Sequence, residues 1–321
     1  MMDIYVIVCA YNEAQNVEPM LEAMQSQTYK DFNLILVDDG STDNTYEIIE
    51  QKTKTLHFTE SFKTFTLIRT EHIGKDENVR RIVDTIKENA LILLTDVDCL
   101  QPDTWVETMY MEHIKTKASM LIGPVKISEE YPFQATEFLS IQIVTRASAM
   151  LGNPLICGGA NLAFTIDGYR LSKPYMRTDK PNGADMYLLD AMKLTKQKIV
   201  AVNKNPATVV TKGKDTLSGF LRQRARWAGK ALNYKSKSIT ITAILVLLLQ
   251  IFLIVIPFFA PFHPKILYFW MVKVLMDLDM LSYMAVKMDT TKLIPYILPV
   301  SILYPLYVVI VFIKIIVNRL K

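Results

Sequence analysis

The sequence predicts an α/β domain built on a mostly parallel sheet, followed by a C-terminal region embedded in a membrane. Two patterns carry that expectation. Short apolar runs alternate with helical patterns through the first hundred residues, which is how βα units are written. From residue 239 onward the chain becomes a series of long apolar stretches, whereas residues 1–237 have the composition of an ordinary globular protein. That division reconciles a hydrophobic fraction of 50% with 21% charged residues in a chain of 321.

The elements follow in order. Residues 4–10, IYVIVCA, make a first strand: Asp3 precedes the run and Tyr11-Asn12-Glu13 ends it, without the basic start and longer apolar core of a signal peptide. Residues 14–24 carry Val17, Leu21 and Met24 at helical spacing, and 33–37 make a second strand. A turn rich in Asp, Gly and Ser then leads into a helix over 45–52. Residues 65–69 form a third strand, 78–88 a helix, and 91–95 a fourth strand ending at Asp96-Val97-Asp98. Ligands of open α/β sheets bind beyond the carboxyl ends of the strands. That rule brings Tyr11-Asn12-Glu13, Asp38-Asp39 and Asp96-Val97-Asp98 to one rim. The irregular stretch 121–210, punctuated by Gly158-Gly159-Ala160-Asn161, completes the sheet and forms an acceptor side.

Residues 216–234 read as a helix with Leu217, Phe220, Leu221, Ala225, Ala228, Ala231 and Leu232 on one broad face. Between Lys212 and Lys237 lie eight basic residues and one acidic one, the charge expected on the cytoplasmic side of an apolar span, where anionic headgroups attract it. An interfacial helix fits. Apolar segments follow at 239–262, 266–286 and 293–317, each long enough to span about 30 Å of hydrocarbon. The second carries Lys273, Asp277 and Asp279, costly at bilayer depth unless they pair or face protein, so two to three crossings are expected. Formal net charge is only +4, which argues against a nucleic-acid partner. Cys9, Cys99 and Cys157 are scattered without metal-ligand spacing and read as free thiols in a reducing compartment. His57, His72, His113 and His263 are too dispersed for a metal cluster.

Asp96 and Asp98 place two carboxylates just past an apolar strand, where Mg²⁺ or Mn²⁺ would find hard oxygen ligands. The alternative is a polar strand end that caps the next helix. Asp38 and Asp39 are either turn formers or acceptors for a nucleoside. Taken in order, Val8-Cys9-Ala10-Tyr11-Asn12-Glu13, Val37-Asp38-Asp39-Gly40-Ser41-Thr42-Asp43, Gly74-Lys75, Thr95-Asp96-Val97-Asp98, Gly158-Gly159-Ala160-Asn161-Leu162-Ala163-Phe164, Gly183-Ala184-Asp185 and Gln223-Arg224-Ala225-Arg226-Trp227 resemble the family 2 glycosyltransferases of GT-A fold. The resemblance covers residues 3–235. It implies a GT-A catalytic domain over 1–215, a basic helix carrying a QxxRW motif over 216–237, and a membrane region over 238–321.

By this resemblance Tyr11, Glu13, Asp38, Asp39, Lys75 and Asp96 bind the donor nucleotide, and Asp96 and Asp98 hold a divalent cation. Asp185 is the general base, with Asp167, Asp179 and Asp190 as acidic alternatives that lack motif support. Gln223, Arg226 and Trp227 close over the diphosphate and acceptor. One departure is Ala184, where the family often has an acidic residue; a neighbour that would orient the base or bind acceptor is missing. The chemistry is coherent in its own terms. Expelling a nucleoside diphosphate from an anomeric carbon needs the leaving charge neutralised and a carboxylate opposite to take the acceptor proton. One base and one displacement invert the anomeric carbon. The expected partners are a nucleotide-diphosphate sugar, a lipid-linked or saccharide acceptor, and membrane lipids, with the enzyme multi-pass in the inner membrane and its catalytic domain cytoplasmic. A short processive polysaccharide synthase, a sugar nucleotidyltransferase and a non-catalytic membrane scaffold are the competing readings. The nucleotidyltransferase would need a Gly-rich basic loop after the first strand, where this chain has Tyr11-Asn12-Glu13.

Overall fold

The computed structural model describes residues 2–54, 56–177, 183–230, 234 and 237–320. The chain folds as two units: Met1–Lys126 with Thr145–Thr211, and Ile127–Val144 with Lys212–Lys321. Residues 127–144 thus belong with the C-terminal unit, which a boundary drawn in chain order at 215 does not anticipate.

The first unit is built on a seven-stranded sheet in the order β3 (Thr64–Arg69), β2 (Asn33–Asp38), β1 (Asp3–Ala10), β4 (Ala90–Asp96), β8 (Leu162–Thr165), β6 (Met120–Ile122), β9 (Ile199–Ala201). The first four strands are mutually parallel, and β8 runs antiparallel to both β4 and β6. A second sheet has the order β5 (Cys99–Leu100), β10 (Val209–Thr211), β7 (Val125–Ile127).

Alternation along the strands divides the core in two. Ile4, Val6 and Val8 of β1 and Leu91 and Leu93 of β4 face one side. There they pack on α1 (Ala14–Gln25), α2 (Thr45–Thr53), α3 (Leu56–Thr59) and, through Trp105, Val106 and Met109, α5 (Trp105–Thr116). Ile7, Ile92 and Leu94 point the other way, onto α4 (Lys75–Thr85), α7 (Ile166–Ser172) and α8 (Ala184–Leu194). Successive side chains of a strand point to opposite faces, so a strand covered on both sides must be apolar throughout. β4 meets that requirement from Ala90 to Leu94, and the buried Thr95 hydroxyl donates to the Ala160 carbonyl at 3.0 Å.

The strand and helix patterns of the first hundred residues match the sequence expectation closely, with one shift. The helix expected over 78–88 begins at Lys75 and ends at Thr85. Gly74, at φ 93°, lets the chain enter earlier, and Ile86 leaves the helix in an extended conformation to join the core.

Among the described residues the second unit contains the first part of α6 (Pro132–Met150) and the α-helices α9 (Leu217–Ala228), α10 (Lys237–Val255), α11 (Tyr268–Lys287) and α12 (Ile294–Leu320). Thr216 caps α9, its Oγ1 accepting the Gly219 N–H at 3.1 Å. The helix closes at Ala228, so the 216–234 expectation is too long; Ala231 and Leu232 lie outside the described residues.

Two stretches, Lys237–Phe259 and Thr291–Asn318, are long and apolar enough to cross a bilayer. The second expected segment, α11, is not in that class because it carries Lys273, Asp277 and Asp279. Lys273 pairs with Asp277 one turn away at 2.6 Å and donates to Ser301 Oγ on α12 at 2.9 Å. Ser301 Oγ in turn donates to Asp277 at 2.6 Å. These two charges face protein, whereas Asp279 is exposed.

Candidate active site at the strand ends

The first four strands run 3-2-1-4, and the chain turns from one side of β1 to the other between β3 and β4. The carboxyl ends of β1 and β4 are therefore a topological switch point, where such sheets bind ligands. After β1, Asn12 takes a left-handed φ of 54°. Its N–H donates to Ser41 Oγ at 3.0 Å and its Oδ1 accepts the Thr42 N–H at 2.8 Å. Glu13 N–H donates to Thr45 Oγ1 at 2.8 Å, and the Glu13 carboxylate accepts from Asn16 Nδ2 at 2.6 Å. The loops after β1 and β2 are thereby laced together. Tyr11 is left 41% exposed at the rim, its ring stacked on His72 at 3.8 Å between centroids.

The two carboxylates after β2 are used differently. Asp38 is fully buried; Arg69 Nε approaches its Oδ2 at 3.3 Å, while Oδ1 has no hydrogen-bond partner among the described residues. Asp39 organises the loop after β3. Its Oδ1 accepts from Ile73 N at 2.8 Å, Asn78 Nδ2 at 2.7 Å and Thr70 Oγ1 at 3.1 Å, and its Oδ2 accepts from Gly74 N at 2.9 Å. His72 Nδ1 lies 3.3 Å from the same carboxylate. Asn78 and His72 are parts of this site that the motifs did not reveal. Their contacts with Asp39 span more than thirty residues, and only the nearby Gly74-Lys75 pair hinted at them.

A second cluster joins β4 to the start of α8. Lys75 forms an ion pair with Asp96. Burial pulls the pKa of the Lys75 ammonium down, but Asp96, Cys9 and Asp185 raise it by more, and it stands above the usual lysine value. Asp185, in the first turn of α8, accepts the Gly159 N–H on Oδ2 at 3.0 Å and the Met186 N–H on Oδ1 at 2.8 Å. Asp76 holds the helix start by accepting the Ala184 N–H at 3.0 Å, beside Gly183 at φ 117°. A β-carbon at Gly159 would lie 3.4 Å from Lys75 Nζ and 3.9 Å from Asp185 Oδ2, in van der Waals contact with both groups. Lys75, Asp96, Gly159 and Asp185 thus form one constellation. Asp190, by contrast, is buried, and Asp167 lies in the first turn of α7; Asp179 is outside the described residues.

Asp96, Asp98 and Cys99 each offer a ligand atom, all within 4.8 Å of one another. Burial pushes the Cys99 thiol well above its ordinary range. The carboxylate pair is what suits a hard dication such as Mg²⁺ or Mn²⁺.

The Gln223–Trp227 motif lies on α9 in the second unit. Arg226 and Trp227 are exposed and Gln223 is half-buried. Arg224, counted in the sequence as one more cation near headgroups, is buried instead, with Nη2 2.7 Å from Glu137 Oε2. Its partner lies on α6, out of reach of any local pattern.

A family model, glycosyl transferase family 2, matches residues 5–163. The chain carries a family 2 glycosyltransferase domain. The matched span runs from β1 into β8 and includes Tyr11, Asp38, Asp39, Lys75, Asp96 and Asp98; it ends before Asp185 and the Gln223–Trp227 motif. Among curated relatives, glycosyltransferase GlyG of Streptococcus pneumoniae is 28% identical over 120 residues, 37% of this chain and 38% of that protein. The UDP-N-acetylglucosamine–dolichyl-phosphate N-acetylglucosaminyltransferase of Methanococcus voltae is 44% identical over 48 residues, 15% of this chain and 18% of that protein. These alignments span well under half of either relative. The likeness in fold extends further. The mannosyltransferase PcManGT from Pyrobaculum calidifontis, solved in complex with GDP-Man and Mn2+, superposes with a TM-score of 0.62 over 98% of this chain and 87% of that one, at 17% identity. The family 2 domain therefore has the GT-A fold.

Proposed function

We propose that the chain is an inverting, metal-dependent glycosyltransferase that moves a sugar from a nucleoside diphosphate to a lipid-linked hydroxyl at the cytoplasmic face of a membrane. The gathering of Lys75, Asp96, Gly159 and Asp185 beside the carboxyl ends of β1 and β4 carries this reading. It joins a cation, a candidate metal ligand and a backbone-anchored carboxylate at the place where open α/β sheets receive nucleotides.

Tyr11, Glu13, Asp38 and Asp39 bind the nucleoside in this reading, Asp38 with the one buried carboxylate oxygen that lacks a partner among the described residues. Asp96 and Asp98 hold the divalent cation, which when bound offsets the negative charge of the diphosphate. Lys75 supplies a second cation for the diphosphate. Asp185 takes the proton from the acceptor hydroxyl, and the N–H groups of Gly159 and Met186 orient its carboxylate for that task. With one base and one displacement, the anomeric configuration inverts. Gln223, Arg226 and Trp227 act on diphosphate and acceptor, Arg226 meeting the leaving charge.

A lipid-linked acceptor is supported by the two candidate spans, by the basic stretch that precedes them, and by the dolichyl-phosphate acceptor named for the Methanococcus voltae relative. The test is transfer from a panel of nucleotide sugars to lipid extract by the purified full chain, with and without chelator, and NMR of the product's anomeric centre. Inverted product and loss of turnover on chelation are expected. Retention of configuration, or turnover indifferent to chelation, would overturn the mechanism.

A further inference from the structure

We propose that Arg224 is a positioning residue that holds Gln223 and Trp227 of the motif in place through a buried partner, Glu137; its catalytic consequence rests on the glycosyltransferase reading. The guanidinium uses every side of its plane. Nε and Nη2 donate to Glu137 Oε2 at 3.1 and 2.7 Å, and Nη1 donates to Gln223 Oε1 at 2.7 Å. Its Cζ lies over the Trp227 ring, 4.4 Å from the centroid, and over the Phe220 ring, 4.7 Å from the centroid. The other oxygen of Glu137 accepts the Tyr307 hydroxyl of α12 at 3.1 Å, and Tyr307 stacks on Phe220 at 5.5 Å. One planar cation therefore fixes an amide and an indole, and its carboxylate partner ties both to a candidate membrane span.

Stability alone does not account for this arrangement. A well-packed apolar pair of similar volume is often as stable as a buried ion pair or more so. An apolar side chain at 224 could fill the space but could neither orient the Gln223 amide nor lie as a cation on the Trp227 ring. Lysine would keep the charge toward Glu137 and lose the planar fork that joins Glu137 to Gln223. Residues that must meet a transferring group tolerate little displacement, and a shift of about 1 Å can cost about 10²-fold in rate. The motif therefore needs a rigid support, and Gln223 and Trp227 on α9 have it in Arg224.

The experiment uses the full chain in nanodiscs, labelled with 5-fluorotryptophan at its three tryptophans, with the Trp227 resonance assigned by Trp227→Phe. In Arg224→Lys, and in Arg224→Met combined with Glu137→Met, the Trp227 resonance should move and broaden while Trp105 and Trp270 keep theirs. kcat should fall about 10- to 100-fold with donor KM little changed. A Trp227 resonance unmoved in Arg224→Lys, or wild-type kcat in it, would overturn the proposal; this single variant decides if the double one does not fold. Arg226→Ala runs alongside. Full turnover there would sink the functional reading of the motif and the catalytic consequence of the positioning, whereas the fluorine signal needs no turnover and judges the positioning by itself.

Discussion

Two ion pairs, one in each unit, are held in opposite ways. At the sheet rim the Lys75 and Asp96 side chains are 30% and 37% exposed. In the helical unit Arg224 and Glu137 are each only 4% exposed, with aromatic rings packed on the guanidinium. A half-exposed pair can trade partners when a charged ligand arrives, because water compensates each member as they part. A buried pair cannot separate without leaving an unpaired charge in a low dielectric. The first arrangement suits groups that take part in chemistry and the second suits groups that fix geometry.

The sharpest way to break this contrast lies at the rim. Asp185→Asn should lower kcat by about 10² to 10⁴-fold while leaving donor affinity nearly unchanged, since it removes proton abstraction and keeps the shape of the side chain. Turnover measured beside calorimetric titration of the donor nucleotide checks this. Loss of donor binding in the folded variant would move Asp185 into the donor pocket and send the search for the base to Asp167, Asp179 and Asp190. Next in size is a difference in stability. Arg224→Ala should cost about 3–5 kcal/mol by stranding Glu137, whereas Lys75→Ala should change stability by less than about 1 kcal/mol. Denaturant unfolding of both variants in one detergent measures the gap, and equal losses would erase it.

A smaller effect is expected at the carboxylate pair. Asp98→Asn should weaken the apparent affinity for Mg²⁺ or Mn²⁺ by about tenfold or more, as removing support from a metal site does. Titrating each ion into chelator-stripped enzyme reads it directly, and a wild-type response would remove Asp98 from the site. The last test expects no change at all. Protease added outside intact cells should leave residues 1–237 uncut, and cleavage there would reverse the assigned membrane face.

The sequence by itself determined whatever depends on neighbours along the chain. Short apolar runs and helical apolar patterns located the first four strands and their helices, and the Asp-Gly-Ser turn chemistry located the loop after the second strand. Two apolar stretches of the right length were visible for the same reason. Only the tertiary structure decided which charge meets which. Asp39 spends its hydrogen bonds on Ile73, Gly74 and Asn78, more than thirty residues away. Asp185 is oriented by Gly159, and Lys273 reaches across to Ser301 on α12. Arg224 reads in sequence as a solvated base beside a membrane. It is buried because Glu137, 87 residues earlier, lies in the stretch 127–144 that belongs to the helical unit. A period in hydrophobicity specifies which face of an element is covered. The partner of a buried charge is selected by packing between distant elements, and nothing in the local pattern encodes it.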